Sequence, residues 1–503
     1  MTSNAKVLII ALDAATSGLI RAWADGGALP TFQRMMAEGT WGTIEDQLEW
    51  CLGGLWGGFF TGLGPDKHRF SEIDLFEPDS YGFRSIQSIT MRGKPFWQLL
   101  SDAGHRVAAI DLPRITPIED LNGIQIIDWG AHDPYDYQFQ TRPTSLEAEI
   151  KERFGIDPVG NCDVFMERKG DYNVLVEQLV GRVATKTALS KHYLTQGGWD
   201  AFVTSYSEPH CVGHQCWHVH DPAHFQHDKS LAAALGDPVR QVYQAIDAGI
   251  AELIAAAGED ATVIVLTVQG MGPQHDATYL LDEVLRRIEG AGNARFQMMR
   301  AAWRRLPHPL REFLRPSIAP TRDRMQSDDR RGRRYFQVQT NVFVAGLRLN
   351  VAGRERHGLV PPGPDCDRLK AMLTAELLAL RNADTGTPVV TKIMDMDKTL
   401  QRENIDGFPD LLIMWNKDEP ILGVTSPNVG EVRMKYDYLR TGDHTFGGLF
   451  CAQGPQTEAG KAAQPVVTRD FAPTIGALLG TPLPGLDGQP IAAICGSTSP
   501  ATT

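Results

Sequence analysis

The sequence predicts an α/β fold: a central sheet covered by helices on both faces and interrupted by an insertion. Three observations predict it. Short apolar, β-rich runs alternate with helix-like segments through the first half of the chain. An amphipathic stretch, Val242–Ala257, leads into an apolar run, Val263–Thr267. Between Gln274 and Tyr436 the texture turns Arg-rich, then Pro- and Gly-punctuated, before strand-and-turn signals return at Gly447–Ala452. Buried strands flanked by helices mark a sheet covered on both faces. Ligands in that architecture gather at the carboxyl ends of the strands.

In chain order, Val7–Leu12 reads as the first strand, Leu29–Glu38 as a helix, and Val107–Asp111, Ile124–Asp128 and Ala201–Ser205 as further strands. Residues 1–273 are expected to form the first part of the core, 274–435 an Arg-rich insertion, 436–495 the C-terminal part of the core, and 496–503 a flexible tail of small polar residues. The stretch from Arg300 to Arg334 holds eleven arginines. They could steer an anion toward a cleft, or form a solvated helix and loop paired with acidic neighbours, the commoner fate of a charge run.

Composition bounds the function. The 503 residues carry 49 Lys+Arg against 61 Asp+Glu, a formal charge of −12, with 42% hydrophobic residues. That is a globular composition with ample core, and it argues against a binder of nucleic-acid duplexes. The apolar run after Lys6 is too short for a secretory leader, and nothing approaches the roughly 20 apolar residues of a bilayer span. A cytoplasmic protein that does not engage membranes is expected. Seven cysteines without a CxxC pair suit reduced thiols. An oligomer is compatible with all of this.

The densest chemical signal is SEPHCVGHQCWHVHDP, from Ser207 to Pro222. His210 and His214, four apart, share one face of a helical turn and can converge on one metal ion. His444, in the Gly-flanked RTGDHTFGG, is the best candidate for a third ligand. Three imidazoles leave zinc an open fourth position, as catalytic sites require. The same residues would also suit a surface helix whose histidines only hydrogen-bond. Cys211 and Cys216 offer another ligand set, although neither joins the His210/His214 pair at a helical spacing. Trp217 reads as a packing residue and His275 as a structural histidine bordering the cleft. Asp13, ending the first strand, could reach a cation or orient a water, or simply cap a turn.

Together these segments resemble the alkaline phosphatase superfamily, within it the type I phosphodiesterase and nucleotide pyrophosphatase branch. The resemblance runs through VLIIALDAAT, ALPTFQRMMAEGTWGTI, FFTGLGPDKHRF, PFWQLLSDAGHRVAAIDLP, SEPHCVGHQCWHVHDP, VIVLTVQGMGP, GDHTFGGLF and DFAPTIGALLG followed by LDGQPI, in the family's order and nearly the whole chain long. It implies an alkaline-phosphatase-like fold: a central, mainly parallel sheet sandwiched between helices, with the Arg-rich insertion as an inserted cap. It also implies chemistry at two adjacent metal ions, commonly zinc, with a Thr or Ser nucleophile cleaving phosphate esters, phosphodiesters or pyrophosphates. Its first-strand aspartate falls on Asp13, its Asp-x-x-x-His pair on His210 and His214 with His in place of the usual Asp, and its late histidine on His444.

The chain departs from the family at the second metal. Where the family reads Ser-Asp-His-Gly, this sequence has Thr267, Val268, Gln269 and Gly270, and the nucleophile's position, nine before Thr61, is Leu52. One zinc ion is therefore expected, the second site being lost. Cys51, one residue off register, is a candidate shifted nucleophile, although CLGGLW lacks the pattern that sulfatase relatives use to make formylglycine. Asp13 is the first candidate for a base, with Glu208 and Asp443 as alternatives. Arg348, Arg354 and Arg356, in the segment that resembles the family's return toward the cleft, are candidates to hold a substrate phosphate, sulfate or carboxylate. The same alternation reads equally as a plain strand with Arg348 facing solvent.

Three functions follow as expectations. The first is a single-zinc hydrolase in which water attacks a small anionic ester, a phosphodiester or nucleotide-like molecule. The second is a zinc enzyme repurposed in a biosynthetic pathway for a non-phosphate substrate. The third is a noncatalytic, zinc-stabilised binding protein.

Overall fold

The structure, a computed structural model, describes residues 3–46, 48, 51, 54–69, 75–84, 91–130, 132, 138–290, 324–340, 344–399, 407–436 and 438–496. Leu52, the arginines from Arg300 to Arg322 and the tail beyond Gly496 lie outside them. The chain divides into two compact units. One comprises Met1–Phe70, Thr90–Gln274 and Tyr438–Thr503; the other comprises Ser71–Ile89 and His275–Asp437. The second unit thus adds residues 71–89 to the stretch read as an insertion.

In the first unit the strands are β1 (Ala5–Leu12), β2 (Thr40–Ile44), β3 (Val107–Ile110), β4 (Gly123–Ile127), β5 (Gln140–Arg142), β6 (Trp199–Tyr206), β7 (Thr262–Thr267), β8 (Gly270–Pro273), β9 (Gly442–Thr445), β10 (Gly448–Gln453) and β11 (Gly460–Lys461). Nine of them form one sheet in the order β11-β2-β10-β7-β1-β6-β3-β4-β5, while β8 and β9 pair with each other. β1, β3, β4, β6 and β7 run parallel as one block, and β10 and β5 are antiparallel to their neighbours. The expected α/β sheet is therefore present. β1 is central and buried on both faces except at Lys6, which is why its sequence is a continuous apolar run. Each such Leu or Ile contributes about 1.5–3 kcal/mol by leaving water.

The helices that matter for the site are α1 (Pro30–Glu38), α2 (Cys162–Lys169), α3 (Tyr172–Leu194), α4 (Glu208–His220) and α5 (Pro238–Ala257). Caps place them. Asp171 accepts from the first-turn amides of α3 and Asn161 from those of α2. Asp247 of α5 reaches across to take the amides of Thr31 and Phe32, both at 3.0 Å, at the start of α1, satisfying donors that a helix start leaves open. Trp217 packs with Ala14 and Met271, the role read for it. Among the described residues, no helix is long and apolar enough to cross a membrane.

The second unit has its own antiparallel sheet, with Tyr335–Val338, Val344–Leu349, Leu411–Trp415 and Val390–Asp395 adjacent in that order. Its arginines are matched locally: Arg286 by Asp282 and Asp329, and Arg333 by Asp282 and Glu289. Residues Val344–Leu349 do form a strand, but Arg348 faces inward, not to solvent. Its guanidinium is buried, with Nε 2.8 Å from Glu355 Oε1 and Nη1 donating to the Phe408 carbonyl at 2.5 Å. Arg354 forks onto Asp410 at 2.7 and 2.8 Å and also meets Glu355. The anion-holding role expected of Arg348 and Arg354 is thus corrected to a structural one, because their charges are spent on Glu355 and Asp410. Arg356 is exposed. His275 bonds the Lys417 carbonyl at 3.0 Å, a structural contact within this unit.

Candidate metal centre

The parallel strands end on one side of the first unit, and there the chain turns sharply. Ala14 after β1, Asp111 after β3 and Asp128 after β4 all adopt positive φ, at 55°, 54° and 56°, a conformation that costs a non-glycine residue energy and clusters at functional sites. β6 runs through Ser207 into α4, which carries His210 and His214 on one face. β9 pairs antiparallel with β8, setting His444 opposite Met271.

The three imidazoles meet. His214 Nε2 lies 3.0 Å from His210 Nε2 and 3.1 Å from His444 Nε2, and all three rings are buried. His214 Nδ1 donates to the Gly442 carbonyl at 2.7 Å, which leaves the lone pair on Nε2, facing the other two rings. Ligands at tetrahedral angles on zinc stand about 3.3 Å apart, so the donor set, tautomer and spacing fit a divalent ion. Burial pushes His210 and His214 well below the usual imidazole range, and the neighbouring cationic and imidazole groups push the same way. The rings are held neutral, as metal ligation requires.

Asp13 follows β1 with its amide bonded to the Tyr206 carbonyl at 2.9 Å. Its carboxylate is buried, with Oδ2 3.7 Å from His210 Nδ1. Asp443 accepts the His444 amide at 3.0 Å. Glu208 is a correction. It is fully buried on another side of α4, 2.7 Å from Arg182 Nε and 3.4 Å from Lys186 Nζ, and residues two apart on a helix do not share a face. It anchors the helix and is not available as a base. Cys51 is wholly buried and belongs to neither group of metal-type ligands among the described residues, which gives no support to the shifted-nucleophile reading, since a buried thiol is ordinarily inert. His218 and His220 bond Thr441 and Asp237. Val268 and Gln269 are both buried.

Sequence reasoning missed two features. Arg440 Nη1 stands 3.1 Å from His214 Nε2, and its Nε and Nη2 fork onto Asp163, the closest contact being 2.5 Å. Burial raises the Asp163 carboxyl pKa, but the Arg440 hydrogen bonds and charge more than offset this and leave it below its ordinary value. Second, His132, Cys162 and Cys211 form another group of metal-type ligands. The sequence held no short-range signal for either, because the partners are separated by 30 to 277 positions.

The fold and site define a metal-type centre on an alkaline-phosphatase-like α/β sheet. The family model "Type I phosphodiesterase / nucleotide pyrophosphatase" matches residues 7–418, and the chain belongs to that family. Solved structures agree in fold. Murine ectonucleotide pyrophosphatase/phosphodiesterase 5 aligns over 96% of this chain and 97% of its own, with 14% identity and a TM-score of 0.51. The human protein of the same name aligns over 96% and 97%, with 13% identity and a TM-score of 0.50. The murine protein has also been solved as an inactive variant in complex with AMP. No curated protein matches the sequence. Family and fold support a hydrolase of the phosphodiesterase/pyrophosphatase kind, a metal-dependent class.

Proposed function

We propose that this chain is a zinc-dependent hydrolase of a small anionic ester, a phosphodiester or nucleotide-like molecule, working with one ion at His210, His214 and His444 and with direct attack by water. The observation that carries the reading is the convergence of three imidazole nitrogens beside a buried carboxylate, Asp13. A zinc ion there would supply Lewis acidity to the substrate's phosphoryl oxygens and to a water. Asp13 is the carboxylate that takes the proton of the attacking water. Arg440, fixed by Asp163, supplies positive charge at the edge of the cluster. That is the charge the family obtains from its second ion, for which this sequence has Val268 and Gln269.

The test is hydrolysis of a chromogenic phosphodiester by zinc-loaded protein. His210→Ala should lose one zinc equivalent together with turnover, and full activity in metal-free protein would sink the reading. A second reading, a repurposed enzyme acting on a non-phosphate substrate, is favoured by Val268 and Gln269. It predicts an intact zinc centre with no turnover of any phosphate ester.

A further inference from the structure

We propose that His132, Cys162 and Cys211 form a second, chemically distinct metal site that takes a zinc ion through two thiolates and one imidazole. Three separate pieces of chain converge to build it: the loop after β4 brings His132, Cys162 is the first residue of α2, and Cys211 lies in the first turn of α4. Both sulfurs stand 3.5 Å from the same nitrogen, His132 Nδ1. With Zn–S of about 2.3 Å and Zn–N of about 2.0–2.1 Å, tetrahedral ligation places sulfur and nitrogen about 3.5 Å apart. All three side chains are buried. Apolar packing accounts for buried cysteines, but it does not bring one imidazole nitrogen equidistant to two of them.

The surroundings suit thiolates. Arg182 Nη2 lies 3.4 Å from Cys211 Sγ, and Gln215 Nε2 points at Cys162 Sγ from 3.8 Å. Charge balances as well. Buried Arg182 and Lys186 are matched by Glu208 and Asp111, and a divalent cation with two thiolates and a neutral imidazole adds no net charge to this interior. Loading the site releases two thiol protons to solvent and involves no change of oxidation state. His210 and Cys211 are consecutive, so α4 serves both centres, and the His132 ring meets the His210 ring edge-on with centroids 4.0 Å apart.

The experiment is cobalt(II) and zinc(II) titration of the intact, reduced protein, read by absorption and by metal content. Cobalt-loaded wild type is expected to show thiolate-to-cobalt charge transfer in the near ultraviolet and two ions per chain. In His444→Ala one ion is lost and the charge-transfer band stays. In Cys162→Ser one ion is lost and the band falls to background, while Cys366→Ser, in the other unit, changes neither. A wild-type protein that binds cobalt without that band overturns the proposal, with no variant needing to fold. So does a Cys162–Cys211 disulfide found by mass mapping in the metal-saturated protein.

Discussion

Gly442 approaches Gly213 so closely that a β-carbon at 442 would stand 2.1 Å from the Gly213 carbonyl oxygen. Helix and strand can touch there only because position 442 has no side chain. The same contact lets the Gly442 carbonyl accept a hydrogen bond from His214 Nδ1, so one glycine sets both the distance of His444 from α4 and the tautomer of His214. Gly442→Ala should cost about 1–3 kcal/mol of stability by overpacking against backbone. It should also weaken zinc binding at the three histidines, by about 10–100-fold as for other lost supporting contacts. Thermal melts with and without zinc check this; unchanged affinity would mean the strand is not positioned by this contact.

Asp13 separates ligation from proton transfer. It lies outside the three-imidazole group, so Asp13→Asn should keep its zinc while turnover falls about 100- to 10,000-fold, the usual worth of a general base. Metal analysis beside diester hydrolysis reads both. Loss of the ion along with activity would make Asp13 a ligand instead of a base.

Much of this was legible in the chain because local rules govern it. β1 is sandwiched between β6 and β7, and burial on both faces writes itself as an unbroken apolar run. The His210/His214 spacing reveals one helix face. What was not legible depends on topology. His132 reaches Cys162 and Cys211 because β4 neighbours β3, and β3 neighbours β6, an order that no local pattern encodes. Glu208 misled because its partners, Arg182 and Lys186, lie on another helix, and nothing near it in sequence reveals them. Arg348 misled because strand alternation does not say which face is covered.

Glu208 gives the third prediction. Its carboxylate is buried against Arg182 and Lys186, and removing one partner of a buried ion network typically costs about 3–5 kcal/mol because it strands charge. Glu208→Gln should therefore lower the melting temperature sharply, and turnover per correctly folded molecule should survive. Denaturant unfolding alongside active-site-normalised rates distinguishes this from a general base, whose loss would abolish turnover at unchanged stability.

Arg440 and Asp163 give the last. The guanidinium is forked onto Asp163 and reaches His214 Nε2, so its orientation depends on that carboxylate being ionised. Arg440→Met should lower kcat/KM for an anionic diester by about 100-fold, the cost of removing one preorganised charge donor. Arg440→Lys should recover little, because an ammonium cannot hold the two-point contact with Asp163. Asp163 has its carboxyl pKa depressed in the folded protein. Its contribution to stability is therefore fully present above the unfolded carboxyl range near 3.8 and is lost as pH falls through the lower folded value. Asp163→Asn should flatten that acid limb of the stability profile and, at neutral pH, reproduce part of the Arg440→Met defect. An unaltered acid limb together with wild-type kinetics would show that the pair merely decorates the rim of the site.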